Sequence, residues 1–249
     1  MRKRGRISGR QCCTAKLHAI ISLCRSFMRY NAVIFDMDGT ILNTLDDLTD
    51  ATNYALGKHG FPSCTREAVR SFVGNGAVML IKRALGIETG DRDCSGELFE
   101  AVYADYFAYY RAHCADKTKA YDGMLDVLAH LRAAGVHTAV VSNKPHEAVL
   151  QLCRDYFPDL FDEAVGTRHG IKEKPAPDAV LEIIKKLDVQ KEACIYVGDS
   201  DVDIDTAKNS AIPCISVSWG FKSREFLEAH GATRIVDTAA ELEKLLLGE

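Results

Sequence analysis

A short apolar run, Val33-Ile34-Phe35, ends in two carboxylates two positions apart, Asp36 and Asp38, and then in Gly39 and Thr40. The run suits a strand buried on both faces of a parallel sheet. The acids stand where the chain must leave that sheet, and Gly39 supplies the freedom for a sharp turn. Burying charge is costly unless it is paired or bound to a metal. Taken alone, the segment also fits a strand followed by a solvated Asp-Gly turn. The remainder of the chain decides between these readings.

After Thr40 helical periodicity takes over. Residues 45–59 place Leu45, Leu48, Ala51, Thr52, Ala55 and Leu56 on one face and stop at Gly60 and Pro62. Thr65 with Glu67, and Asp91 with Ser95, have the form of helix starts. Further helices are predicted at 65–73, 76–85 and 93–115, with no strand pattern between 42 and 122. From 123 onward helices alternate with strands at 137–141, 162–165, 194–197, 213–217 and 234–236. That alternation predicts a doubly wound α/β fold, a parallel sheet covered on both faces. Residues 29–42 supply its first strand and 123–249 the rest of the core. Residues 43–122 interrupt the core as an inserted, all-helical cap.

With 249 residues, 47% hydrophobic and 27% charged, the chain has the composition of an ordinary globular protein. Residues 1–28 hold seven basic side chains and no acid, so the remainder carries −11 against −4 for the whole. Such an acidic remainder argues against a nucleic-acid partner. Leu17 to Cys24 is too short to span a bilayer, which argues against a membrane partner. Residues 1–28 are expected to be a poorly ordered basic leader, with Met28 the natural start. The nine cysteines (12, 13, 24, 64, 94, 114, 153, 194 and 214) include no Cys-x-x-Cys pair and no zinc spacing. Their odd count and scatter suit a reducing, cytoplasmic setting. Cys194 and Cys214 lie in apolar runs and are expected to be buried.

In an open α/β sheet, ligands bind beyond the carboxyl ends of the strands. The first strand ends in Asp36, Asp38 and Thr40. The strand at 137–141 ends in Ser142-Asn143. The strand at 194–197 ends in Gly198-Asp199-Ser200-Asp201-Val202-Asp203, and Lys172-Glu173-Lys174-Pro175 precedes the helix at 177–187. Three acid clusters, a hydroxyl–amide pair and a lysine should therefore converge on one rim.

Asp36-Met37-Asp38-Gly39-Thr40, Ser142, Lys174-Pro175 and Gly198-Asp199-Ser200-x-x-Asp203, in this order, resemble the four motifs of the haloacid dehalogenase-like hydrolases. The resemblance covers residues 30–247, and the insert resembles that superfamily's helical cap. It implies that Asp36 is the nucleophile of an aspartyl-phosphate route and Asp38 the general acid and base. It implies Mg²⁺ held by Asp36, the main-chain carbonyl of Asp38 and Asp199. Thr40, Ser142, Asn143 and Lys174 would contact the phosphoryl oxygens, and Asp203 would orient Lys174 or a metal-bound water. Asp201, Asp205 and Lys172 are left outside the site. The second acid, Asp38, is absent from dehalogenating and phosphonate-cleaving members, so its presence favours phosphate-ester chemistry.

Thr44-Leu45-Asp46-Asp47-Leu48 and Phe72-Val73-Gly74-Asn75-Gly76-Ala77 resemble the phosphoglycolate phosphatase branch. Asn43 departs from the acid often found at its position. The Gly-Asn-Gly turn could reach over the site and exclude water, and Arg83 could meet a substrate carboxylate. The implied partner is a small phosphorylated metabolite, 2-phosphoglycolate first, acted on by a monomer or homodimer. A pyrophosphatase, or a sugar-phosphate phosphatase or mutase of the same superfamily, is the alternative. A phospho-receiver is disfavoured, because its phosphorylated acid follows a middle strand, where this chain has Ser142-Asn143. A non-catalytic binding module would be expected to have lost Asp36, Asp38, Lys174 or Asp199.

Overall fold

The computed structural model describes residues 29–88 and 96–248. The basic leader, the Asp91–Ser95 helix start, and Cys12, Cys13, Cys24 and Cys94 lie outside the described residues. Six strands form one sheet: β1 (Ala32–Phe35), β4 (His137–Pro145), β5 (Glu163–Thr167), β6 (Cys194–Gly198), β7 (Cys214–Val217) and β8 (Ile235–Val236). Their spatial order is β5-β4-β1-β6-β7-β8. Every pairing is parallel. The order steps outward from β1 in both directions, so the loops after β1, β4 and β6 face one another at a switch point.

β1 shows why the sheet needs two covering layers. Val33 and Phe35 pack with Val140, Ile195 and Val197 on one face. Ala32 and Ile34 pack with Ala139, Val141 and Tyr196 on the other. Side chains of a strand alternate between faces, so an unbroken apolar run must be buried on both. The first face is covered by α5 (Met124–Ala133), α6 (His146–Tyr156) and α10 (Ala239–Leu247). The second is covered by α7 (Asp178–Lys186) and α8 (Asp201–Ser210). A short helix, α9 (Arg224–Ala229), precedes β8.

Between β1 and α5 run four helices: α1 (Leu45–Lys58), α2 (Arg66–Phe72), α3 (Gly76–Ala84) and α4 (Gly96–His113). Thr65 caps α2, its side chain accepting from the Ala68 amide. The insert is not purely helical. β2 (Leu42–Asn43) and β3 (Lys119–Ala120) pair antiparallel where the chain leaves the core and returns. Two residues per strand carry no readable period, which is why sequence periodicity shows no strand there. Asp47 ties the two crossings together: its carboxylate accepts from the Lys117 and Thr118 amides and the Thr118 hydroxyl.

Cys114, Cys153, Cys194 and Cys214 are free thiols. Cys194 is buried as expected, whereas Cys214, at the start of β7, is half-buried. Among the described residues no helix is long and apolar enough to cross a membrane.

Candidate active site

At the carboxyl end of β1 the chain turns sharply: the Gly39 amide donates to the Leu42 carbonyl, and Leu42 returns a bond to Met37. Gly39 sits at φ +84°, and a Cβ there would lie 2.3 Å from Asp199 Oδ2. A side chain at residue 39 is therefore excluded by backbone conformation and by space. Gly220 is constrained by space alone, its hypothetical Cβ falling 2.3 Å from the Cβ of Asp199. The backbones on either side of Asp199 close on it because neither position carries a side chain.

Asp36, Asp199 and Asp203 bring carboxylate oxygens within 4.8 Å of one another, all three buried. Asp199 is held on both oxygens, by the Thr40 hydroxyl at 3.3 Å and the Phe221 amide at 2.6 Å. Asp203 is the first-turn acid of a capping box at the start of α8. Its Oδ2 accepts from the Ser200 hydroxyl and amide and the Asp199 amide. Its Oδ1 takes the Lys174 ammonium at 2.7 Å. Asp36 Oδ1 lies 2.8 Å from the same ammonium, yet outside hydrogen-bond geometry, so that contact is one of charge alone.

Three carboxylates around one lysine leave negative charge in excess. Burial, and then the charge of Asp203, push the Asp36 carboxyl up to about 7, against the opposing pull of Lys174. Burial, and then the charges of Asp203 and Asp36, drive Asp199 well above the usual carboxylate range. Lys174 is held well above the ordinary lysine value, the charges of Asp203 and Asp36 outweighing its burial. A divalent cation fits this donor set on two grounds: the charge is unbalanced, and Asp36 Oδ1 is a buried oxygen without a hydrogen bond. Asp203 Oδ2 takes three protein donors and Oδ1 the Lys174 ammonium, whereas each Asp199 oxygen takes a single donor. Asp36 and Asp199, the pair expected from sequence, remain the carboxylates able to hold a metal.

One cavity collects these groups. Asp36, Asp38, Ser142, Asn143, Lys174, Asp199 and Ser200 line it from the sheet rim. Leu48, Val73, Ala77, Leu80, Tyr106 and Tyr110 line it from the insert. Two of the residues expected at the phosphoryl group have side chains engaged by protein partners. Thr40 is absent from the cavity wall, and its hydroxyl is turned to Asp199. The Asn143 side chain is spent on the Lys174 backbone: Oδ1 accepts from the Lys174 amide at 2.8 Å, and Nδ2 donates to the Lys174 and Gly74 carbonyls. Both side chains position other members of the site. Arg83 does not line the cavity; its guanidinium donates to the Phe72 carbonyl and Asn75 Oδ1 and pairs with Glu88.

Residues 33–217 match the haloacid dehalogenase-like hydrolase family. The chain belongs to the haloacid dehalogenase-like hydrolases. A phosphoglycolate phosphatase from Pseudomonas putida is 33% identical over 87% of this chain and 78% of its own length. An N-acetylmuramic acid 6-phosphate phosphatase from Pseudomonas aeruginosa is 30% identical over 88% and 96%. A crystal structure from Lactobacillus delbrueckii subsp. bulgaricus, provisionally named a phosphoglycolate phosphatase, is 45% identical with a TM-score of 0.85. It covers 89% of this chain and 100% of that one. This member of the family is an enzyme, a phosphatase.

The sequence pattern of this hydrolase leaves several site residues unmarked. β4 does not stop at Val141 but runs to Pro145, with five residues (Val141 to Pro145) lying opposite only three (Val165 to Thr167) on β5. The bulge turns Ser142, Asn143 and Lys144 to the cavity. Lys144, buried, reaches Asp38 Oδ2 at 2.9 Å, and the Thr44 hydroxyl donates to Asp38 Oδ1 at 2.7 Å. From α2, Arg70 donates to the Gly220 and Phe221 carbonyls, bracing the loop whose amide holds Asp199. Lys144 adjoins the Ser-Asn pair in sequence, and that adjacency was the one available signal.

Proposed function

We propose that this phosphatase is a Mg²⁺-dependent enzyme that hydrolyses a small phosphorylated metabolite, 2-phosphoglycolate, through an aspartyl-phosphate on Asp36. The observation that carries the reading is the pairing at the end of β1: Asp36 faces Lys174 and Asp199, while Asp38, two residues on, faces the same cavity from a separate anchor. One carboxylate is placed in the cation-binding corner and the other is kept apart for proton transfer.

In this reading an Asp36 oxygen attacks phosphorus. The bond from phosphorus to the ester oxygen breaks, and that oxygen takes its electron pair together with a proton from Asp38. Water then attacks the phospho-Asp36, giving a proton back to Asp38, and the carboxylate of Asp36 leaves as inorganic phosphate forms. Lys174, fixed by Asp203 and Asp36, offsets charge on the phosphoryl oxygens, and Ser142 offers a hydroxyl beside it. Mg²⁺, when bound to Asp36, Asp199 and the Asp38 carbonyl, would lessen the repulsion between an anionic carboxylate and an anionic phosphate. Residues 43–122 act as a cap that closes over the core (29–42 and 123–249) and excludes water. The odd number and scattered spacing of the nine cysteines support a cytoplasmic setting; the enzyme is a monomer or homodimer in this reading.

The substrate reading rests on the relatives named for phosphoglycolate and on the Phe72–Ala77 turn. A sugar-phosphate substrate is the second reading, favoured by the relative named for N-acetylmuramic acid 6-phosphate. A screen of phosphorylated metabolites separates them. The expected result is phosphate release from p-nitrophenyl phosphate with Mg²⁺, abolished by EDTA, with 2-phosphoglycolate giving the highest kcat/KM. Preference for a hexose phosphate or pyrophosphate overturns the substrate; turnover retained in EDTA overturns the metal.

A further inference from the structure

Lys144 stands where the sheet rim and the insert meet the reaction centre. Its side chain is 2% exposed. A buried ammonium needs acceptors for its protons and a countercharge, and both are present. Asp38 Oδ2 lies at 2.9 Å and the Tyr110 hydroxyl at 2.5 Å. The Tyr110 ring also meets the ammonium, 4.6 Å from its centroid. Tyr110 belongs to α4 of the insert; Asp38 and Lys144 belong to the rim. All three line the same cavity.

The arrangement makes Asp38 dependent on the insert. Thr44 fixes one carboxylate oxygen and Lys144 the other. A lysine stem has many rotamers, and this one is held by burial and by Tyr110. Were α4 to lift away, the ammonium would gain water and lose the ring and the hydroxyl, and its hold on Asp38 Oδ2 would loosen.

We propose that Lys144 is a positioning residue that couples docking of the helical insert, through Tyr110, to the orientation of Asp38. The carboxylate is set for proton transfer when Tyr110 is seated on the ammonium. This inference rests on reading Asp36 as nucleophile and Asp38 as acid and base.

Stopped-flow kinetics with p-nitrophenyl phosphate and Mg²⁺ test it. Nitrophenolate leaves without needing a proton, so its release with formation of phospho-Asp36 should barely feel Lys144. Attack of water needs Asp38 to accept a proton and should feel it fully. Lys144→Met is therefore expected to give a nitrophenolate burst approaching one per active site. The steady rate after the burst should be slower than wild type by about 10–100-fold, part of the usual span of acid–base catalysis. With 2-phosphoglycolate, whose leaving oxygen does need the proton, kcat should fall by a similar factor while KM holds. Tyr110→Phe, which keeps the ring and removes the hydroxyl, should show the same split more weakly. It carries the test if Lys144→Met fails to fold. Lys144→Arg, which keeps a cation for Asp38, should recover part of the steady rate. Equal slowing of burst and steady state overturns the proposal, as does a rise in KM with kcat unchanged, which would make Lys144 a substrate contact. Wild-type enzyme that never forms a phospho-Asp36 overturns the reading of Asp36, and this inference with it.

Discussion

The sheet rim and the helical insert face the same cavity with opposite chemistry. The rim presents carboxylates and Lys174, each fixed by several protein contacts: Asp199 by Thr40 and Phe221, Asp203 by Ser200 and Lys174, Lys174 by Asp36 and Asp203. The insert presents Leu48, Val73, Ala77, Leu80 and aromatic rings. Among the described residues, its polar ties to the rim include Thr44 to Asp38, Arg70 to the 220–221 carbonyls, Lys222 to the Ser71 carbonyl, Asn143 to the Gly74 carbonyl, and Lys144 to Tyr110. A preorganised charge cluster lowers a barrier, whereas an apolar wall can open, close and select by shape. The contrast teaches that reaction and selection are built by different segments of one chain.

Four measurements strain that contrast, in falling order of effect. Asp36→Asn removes the nucleophile while keeping shape, and phosphate release should fall by about 10⁴-fold or more on every substrate. Turnover retained at a tenth of wild type would break the rim's claim to the chemistry. Gly220→Ala forces its Cβ against Asp199, and a displacement near 1 Å costs about 100-fold in rate. The loss should again be in kcat and indifferent to substrate. Mg²⁺ at about 100 times its Kd should stabilise the wild-type fold by about 2.7 kcal/mol over an EDTA control in thermal denaturation. Asp199→Asn should lack that shift; an equal shift in both would move the metal away from the rim. Arg83→Ala frees the Phe72–Asn75 turn of the insert. It should raise KM by about fivefold to tenfold, the worth of one or two hydrogen bonds, with kcat little changed. A kcat loss shared by all substrates would erase the distinction between the two regions.

The rim was legible because its signals are local. Val33 to Phe35 declare a doubly buried strand, and an acid directly after such a strand must lie at the sheet's edge. The same reasoning applies to Asp199 after Cys194–Val197. Order along the chain then brought Asp36, Asp38, Lys174 and Asp199 to one cavity. Local pattern is silent where several partners are available to one side chain. Thr40 has the hydroxyl of a phosphate contact, yet that hydroxyl donates to Asp199. Asn143 has the amide of one, yet the Lys174 backbone, 31 residues on, takes both ends. Lys144 looks like any surface lysine until the bulge in β4 turns it inward. Arg83, expected to face a substrate, found Glu88 and two turn acceptors on its own side of the insert.

Periodicity and residue type alone determined the strand–helix order, the interruption after the first strand, and which carboxylates reach the rim, because each of these is encoded within a few neighbouring residues. Only the folded chain decided that Lys174 serves Asp36 and Asp203 while Lys144 serves Asp38 and Tyr110. Those choices depend on separations of a few ångströms between segments distant in sequence, which are fixed by packing and charge balance once the layers close.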